Sequence, residues 1–244
     1  MGRSYAGLAV VAVAVVLAGC GGGERQEAPA SGAQLGGIDR SQAAQDFMAD
    51  ELAGRHPSGQ AKVPSGYRVR HSNADHVALA FPPRWQSLTS QDARWPGTMQ
   101  MFSRLNRGLG AAIAALSLPD GPLKLLGFDP RTLHGYTTTA SVMLTPARPG
   151  ASYAEWSAQA IRATRRLPSI QGPVRARRVD HPLGDALRLE YVRRYGTGPR
   201  ISTLQYVVTR GSTTYVVTYS TLPRLMARYA KQFAASALTL SAGD

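Results

Sequence analysis

The sequence predicts an α+β domain, a mainly antiparallel sheet with helices laid against it. Three observations carry that reading. Between Ile201 and Thr221, Leu204, Tyr206 and Val208 stand opposite Tyr215, Val217 and Tyr219 across an Arg210-Gly211-Ser212 turn, with Val207 and Val216 on the other side. Strands that are apolar on both sides belong in the middle of a sheet covered on both faces. Other short runs alternate apolar and polar residues with the period of two that a half-buried strand requires. Elsewhere apolar residues recur every three or four positions, the spacing of a helix with one buried stripe.

Residues 1–19 stand outside that domain. Arg3 gives a short positive start, Leu8 to Leu17 is uncharged, and Ala18-Gly19 are the small residues that a signal peptidase needs. The apolar run is shorter than the roughly 20 residues that span a bilayer. Leu17-Ala18-Gly19-Cys20 fits the lipobox of bacterial lipoproteins, and a Gly21-Gly22-Gly23 spacer comes next. An ordinary secretory signal with a chance cysteine is the alternative. The lipobox reading implies a diacylglyceryl thioether on Cys20, palmitate-type acyl chains in the membrane, and an extracytoplasmic address. Two acyl chains anchor stably, at about 0.8 kcal/mol per buried CH₂. Cys20 is the only cysteine, so once acylated it leaves no thiol for a disulfide or a redox pair.

Residues 20–65 read as a tether rich in Gly, Ala, Gln, Pro and Ser. A short helix is possible where Phe47, Met48, Glu51 and Leu52 come after Ser41, with Gly54 as its stop. If flexible throughout, about 40 residues span about 35 Å.

A single globular domain is predicted over residues 66–244. Tyr67-Val69-His71 and Val77-Leu79-Phe81 alternate around Asn73-Ala74-Asp75, a hairpin. Pro82-Pro83 ends it, and Trp85 comes next as a core anchor. Thr98 to Leu118 has Phe102, Leu105, Leu109, Ile113 and Leu116 at helical spacing, weakened by Gly108 and Gly110 and broken by Pro119-Asp120-Gly121-Pro122. Leu123–Phe128 and Thr137–Leu144 are strand candidates. Ser152-Tyr153-Ala154-Glu155 is a capping box, opening a helix with Trp156, Ala160, Ala163 and Leu167 on one face and Pro168 at its end. Val174–Val179 reads as an exposed strand. In Ala186–Arg194, Leu187, Leu189 and Tyr191 alternate with Arg188 and Glu190, a strand with one wet face. After the meander, a last helix runs from Pro223 with Leu225, Met226, Tyr229, Phe233 and Ala237 as its stripe.

The strand entering Phe81-Pro82-Pro83-Arg84-Trp85, the segment Leu125-Leu126-Gly127-Phe128-Asp129-Pro130, the strand Thr137–Leu144, the Trp156 helix and the closing Tyr/Val hairpin with its helix resemble, in order, the PsbP-like fold. Joined to a lipobox, the domain is similar to the LpqN-type lipoproteins of high-GC Gram-positive bacteria. The resemblance covers about residues 67–241. It implies an α/β/α sandwich and a binding or assembly factor at a membrane surface, with no shared catalytic residues. The Arg94–Pro122 stretch is bulkier than that fold requires.

Catalytic motifs are missing. There is no Gly-x-Ser-x-Gly, and His56, His71, His76, His134 and His181 form no metal-binding spacing. His71 and His76 sit on opposite arms of the first hairpin beside Asp75, where surface polarity is the simpler account. Asp129, Glu155, Asp180, Asp185 and Glu190 show no paired spacing for a glycosidase. No cofactor is expected, and the chain is not read as an enzyme.

The formal charge of +13 comes almost wholly from arginine, with only Lys62, Lys124 and Lys231 as lysines. Arginine over lysine, with much Ala and Gly, fits a high-GC genome as well as selection for guanidinium chemistry, and a solvated basic face produced by that bias is the alternative to a functional one. Arg162, Arg165, Arg166, Arg175, Arg177, Arg178, Arg193 and Arg194, with Arg188 and Arg200 nearby, are candidates for an anion-binding face. Export disfavours nucleic acid, so the expected partners are an envelope protein, anionic lipid or anionic wall polymer. The leading expectation is a non-catalytic binding or assembly-type lipoprotein domain. The alternative is a carrier or sensor of an apolar small molecule, drawing on Trp85, Trp95, Met99, Met101 and Phe102. An envelope hydrolase ranks last.

Overall fold

In a computed structural model describing residues 62–105, 121–133, 136–195 and 197–243, the first hairpin comprises β1 (Arg68–Ser72) and β2 (Val77–Phe81). They pair antiparallel with Arg68 opposite Phe81, around a turn in which His76 takes φ 49°. The lipobox, Cys20, the tether helix and the Gly108–Leu118 part of the predicted long helix lie outside the described residues.

Pro82-Pro83-Arg84 then turns the chain, with Arg84 at φ 71° and the Trp85 amide donating to the Pro82 carbonyl at 3.2 Å. A non-glycine residue in that region costs about 1–3 kcal/mol, so the turn needs an anchor beside it. Trp85 is that anchor, 5% exposed, with its ring edge-on to Tyr229 and Phe233 at 6.3 Å each. A strand the alternation does not announce comes next, β3 (Gln86–Thr89). Helix α1 (Trp95–Leu105) starts earlier than Thr98 and buries Trp95 and Met99.

β4 (Leu123–Leu133) and β5 (Tyr136–Pro146) extend the predicted strands, and the capping box opens α2 (Tyr153–Arg165) as expected. There the Ser152 hydroxyl accepts the Glu155 amide at 3.3 Å while the Glu155 carboxylate accepts the Ser152 amide at 2.8 Å. The α2 stripe differs from the expected one. Ser157, Ala160 and Thr164 are its buried residues, and Trp156 is only half-buried. The Thr164 hydroxyl returns to the Ala160 carbonyl at 2.9 Å, an intrahelical bond that lets a polar residue occupy an apolar position.

β6 (Ile170–His181), β7 (Gly184–Arg193), β8 (Ile201–Arg210) and β9 (Thr213–Thr221) form a meander. At the β8–β9 turn Gly211 has φ 59° between paired Arg210 and Thr213, so positive φ falls on the first central residue, as a type II′ hairpin requires. The expected register holds, with Leu204, Tyr206 and Val208 opposite Tyr219, Val217 and Tyr215. A short 3₁₀ turn, Pro223–Leu225, leads into α3 (Met226–Ala237), and β10 (Ser241–Ala242) closes the chain on β2.

The large sheet runs β3-β4-β5-β9-β8-β7-β6 and the small one β1-β2-β10, every pair antiparallel. On one face of the large sheet, α1 and α2 cover Leu126, Met143, Leu187, Leu189, Val207 and Val216. On the other, Tyr229, Phe233 and Ala237 of α3 and Leu79 and Phe81 of β2 cover Val142, Leu204, Tyr206, Val217 and Tyr219. This is an α/β/α sandwich, and β9 stands at its centre. Each such buried side chain contributes about 1.5–3 kcal/mol.

Asp129 ties the layers together. It is 1% exposed, accepts the Tyr229 hydroxyl of α3 at 2.6 Å and binds the Arg131 guanidinium. Burial alone would raise its pKa, but hydrogen bonds from the Arg131 guanidinium, the Tyr229 hydroxyl and the Arg131 amide hold it at about 2.

Substitutions at Gly127 and Asp129 test these contacts. A Cβ at Gly127 would meet the Phe81 ring at 2.2 Å, so Gly127→Ala is expected to cost about 1–3 kcal/mol in denaturant unfolding. Adding Phe81→Leu should restore part of that loss, which no effect confined to backbone propensity would do. Asp129 has a depressed folded pKa, so its contribution is present above the ordinary carboxylate value and fades as pH falls toward 2. Acid-unfolding curves of Asp129→Asn should therefore lose slope in that window and converge with wild type at its lower end.

Candidate anion-binding surface

The structure does not bring the eight candidate arginines to one face. The C-terminal end of α2 gathers Arg162, Arg165 and Arg166, all exposed, where positive charge also complements the helix dipole. Arg194, just past β7, joins that end because its amide donates to the Ser169 carbonyl at 2.8 Å. Its guanidinium donates to the Gly198 carbonyl at 2.8 Å and stays exposed. Arg175 and Arg177 are exposed on the terminal strand β6, opposite Glu190 and Arg188 of β7.

Arg178 is differently placed. Its guanidinium lies 4.7 Å from the Tyr153 ring centre and is paired with Asp185, so most of its charge is neutralised. Arg193 is a correction. It is 0% exposed, donating to the Ser220 hydroxyl and the Tyr195 hydroxyl at 3.0 Å each, and it supports the core rather than a surface. Arg188 corrects the wet face of β7, being 2% exposed and paired with Glu190 at 2.6 Å. The alternation of β7 holds, but neither of its faces is open to water: the one turned away from Leu187 and Leu189 lies beside Tyr206 on the α3 side.

Asp75 and His181 are engaged in structure. Asp75, between His71 and His76, binds Lys124 at 2.8 Å and accepts the Ser72 hydroxyl. His181 is buried; its Nδ1 accepts the Leu183 amide at 3.1 Å and its Nε2 donates to the Ala237 carbonyl at 2.9 Å. Burial pushes its pKa down, opposed by the Ala237 bond. The carboxylates whose pKa is resolved as shifted, Asp92, Asp129 and Glu155, are all lowered, the reverse of what a general acid needs. Among the described residues no group of three or more His, Cys, Asp or Glu is placed to hold a metal. Trp95 and Met99, cited for an apolar ligand, are 2% and 3% exposed core residues.

The structure adds a concave feature that the sequence does not announce. A cleft of about 370 Å³ opens between β1, β3 and the start of α1, lined by Arg68, Arg70, Arg94, Trp85, Gln86 and Ser87 among others. Arg68 and Arg70 alternate along β1, and that spacing is the one available sign. Taken alone it marks only a hairpin arm, because the other walls come from residues further along the chain.

No family model matches the chain, and no curated protein matches it. Similar solved structures include cyanobacterial PsbP from Synechocystis, 12% identical, covering 77% of this chain and 99% of that one with a TM-score of 0.46. Another is LpqN of Mycobacterium tuberculosis, described as involved in cell envelope biogenesis, 12% identical over 81% of this chain and 97% of that one, TM-score 0.46. A third is the Ran-binding protein Mog1p of Saccharomyces cerevisiae, 10% identical over 73% and 96%, TM-score 0.44. The chain is similar in fold to PsbP-like proteins.

The two settings of arginine separate in a stability assay. Arg193→Gln leaves the hydroxyl groups of Ser220 and Tyr195 without their donor and should lower unfolding free energy by about 1–3 kcal/mol. Arg162→Gln, at the helix surface, should stay within about 0.5 kcal/mol of wild type.

Proposed function

We propose that the chain is an envelope lipoprotein, anchored through Cys20 and a tether of residues 20–65, whose folded domain is a non-catalytic module binding an anionic envelope component. The observation that carries this reading is the group Arg162, Arg165 and Arg166. These residues lie together at one helix end, with no ion pair to any described acidic residue. Arg175 and Arg177 add positive charge along the edge strand.

Anionic lipid is the component nearest to hand for a domain on such a tether. Each arginine close to an anionic bilayer contributes about 1 kcal/mol, and the attraction decays within a Debye length. Phosphate-bearing wall polymer and an acidic protein surface would be drawn by the same field.

The test is retention of the chain carrying Cys20→Ser, and so no acyl anchor, on vesicles containing phosphatidylglycerol across a salt series. Replacing Arg162, Arg165 and Arg166 together by Gln should weaken partitioning about a hundredfold at low salt and flatten the salt dependence. Equal retention of wild type and variant at every salt concentration would remove the basis of this reading.

A further inference from the structure

The cleft between the two sheets has a different character from the helix-end arginines. Its walls are the outermost strand β3, strand β1 and the residues leading into α1, and Arg68, Arg70 and Arg94 all line it. Arg70 is fixed. Its Nη2 is held by both carboxylate oxygens of Asp92, which also accepts the Thr89 amide at 2.6 Å, while its Nε is buried with no partner in the protein. Asp92 therefore neutralises one arginine and orients it. Arg68 and Arg94 are exposed and have no ion pair among the described residues, so the cleft keeps two uncompensated positive charges.

The rest of the lining adds shape and hydrogen-bonding capacity. Trp85 is clamped edge-on by Tyr229 and Phe233, which makes that wall rigid. Gln86 and Ser87 contribute side-chain groups able to donate or accept. A volume of about 370 Å³ falls at the lower end of the range for small-molecule sites and exceeds what a bare inorganic anion fills. Guanidinium forks match phosphate oxygens with paired, charge-assisted hydrogen bonds.

We propose that this cleft is a binding site for a small organic phosphate ester. Its phosphate sits between Arg68 and Arg94, and its organic part lies along Trp85 and Gln86. The site is separate from the helix-end arginines, and either can exist without the other. The ester can reach it free in solution or as the headgroup of a lipid.

The experiment is calorimetric titration of the chain from residue 20 onward carrying Cys20→Ser, and so no acyl anchor, with glycerol 3-phosphate and, separately, with inorganic phosphate, alongside flotation of the same protein on phosphatidylglycerol vesicles. The variants are Arg68→Gln with Arg94→Gln, and Arg162→Gln with Arg165→Gln and Arg166→Gln as the control. Saturable binding of glycerol 3-phosphate, tighter than inorganic phosphate and weakened about tenfold or more by the cleft pair but not by the control, supports a site for free esters. Vesicle binding that the cleft pair weakens, without saturable binding of the soluble ester, supports a lipid headgroup as the source. The proposal is overturned if neither ester form binds, if inorganic phosphate binds as tightly as the ester, or if only the control set weakens binding. Unfolding curves for each variant show whether the comparison is made on folded protein. If Arg68→Gln with Arg94→Gln does not fold, Arg68→Lys with Arg94→Lys, which keeps the charge and loses the fork, replaces it and should still weaken binding.

Discussion

Strand β9 holds Tyr215, Val217 and Tyr219 against one layer and Val216 against the other, and with β5 and β8 beside it water must be kept from both sides at once. That requirement dictates the rest of the architecture. One cover comes from α1 and α2, the other from α3 with β2, the latter two drawn from opposite ends of the domain. The α3 cover is rich in ring contacts. Phe233 stacks on Tyr219 at 4.7 Å and on Tyr229 at 5.5 Å, while Trp85 closes the end of the stack. Aromatic contacts of this kind add about 0.5–1.5 kcal/mol each beyond the area they bury. Asp129 then fixes the position of Tyr229 from the sheet side, so helix and sheet are aligned by a charged hydrogen bond as well as by apolar contact.

Local pairing also explains the electrostatic character of the surface. Asp75 is matched to Lys124, Asp92 to Arg70, Asp129 to Arg131, Asp185 to Arg178 and Glu190 to Arg188. Glu155 completes a helix cap. Acidic groups are few and each of these is engaged by its own basic or capping neighbour, so the remaining arginines project a field with little local cancellation. A field of that kind raises the local concentration of anions and speeds encounter, whatever the eventual partner.

The parts of the fold that a one-dimensional pattern encodes are legible in the sequence. The Gly211 hairpin, its register, the Ser152–Glu155 cap and the central place of β8 and β9 all arise from local residue chemistry. Three features are not legible, each for a physical reason. The buried stripe of α2 includes Ser157 and Thr164, whose hydroxyls bond back within the helix and so lose their polar signature. Arg188 and Arg193 read as solvent-facing because burial of a guanidinium depends on partners such as Glu190, Ser220 and Tyr195, which spacing along one strand does not reveal. The cleft needs β1, β3 and the start of α1 to be brought together, a juxtaposition set by tertiary folding alone. The candidate site is thus legible as an excess of charge and illegible as a geometry.

The pairing of β10 with β2 has a consequence for the order of assembly. The Ala80 amide is bonded to the Thr239 hydroxyl, 159 positions further along the chain, and Gly243 donates to the His76 carbonyl at 2.6 Å. Strand β2 therefore gains its second neighbour only from residues more than 150 positions downstream. Contacts of such long range carry the largest loop-closure cost. A nascent chain would expose one edge of β2 until Ser241 and Ala242 had emerged, making that short strand a latch on the small sheet.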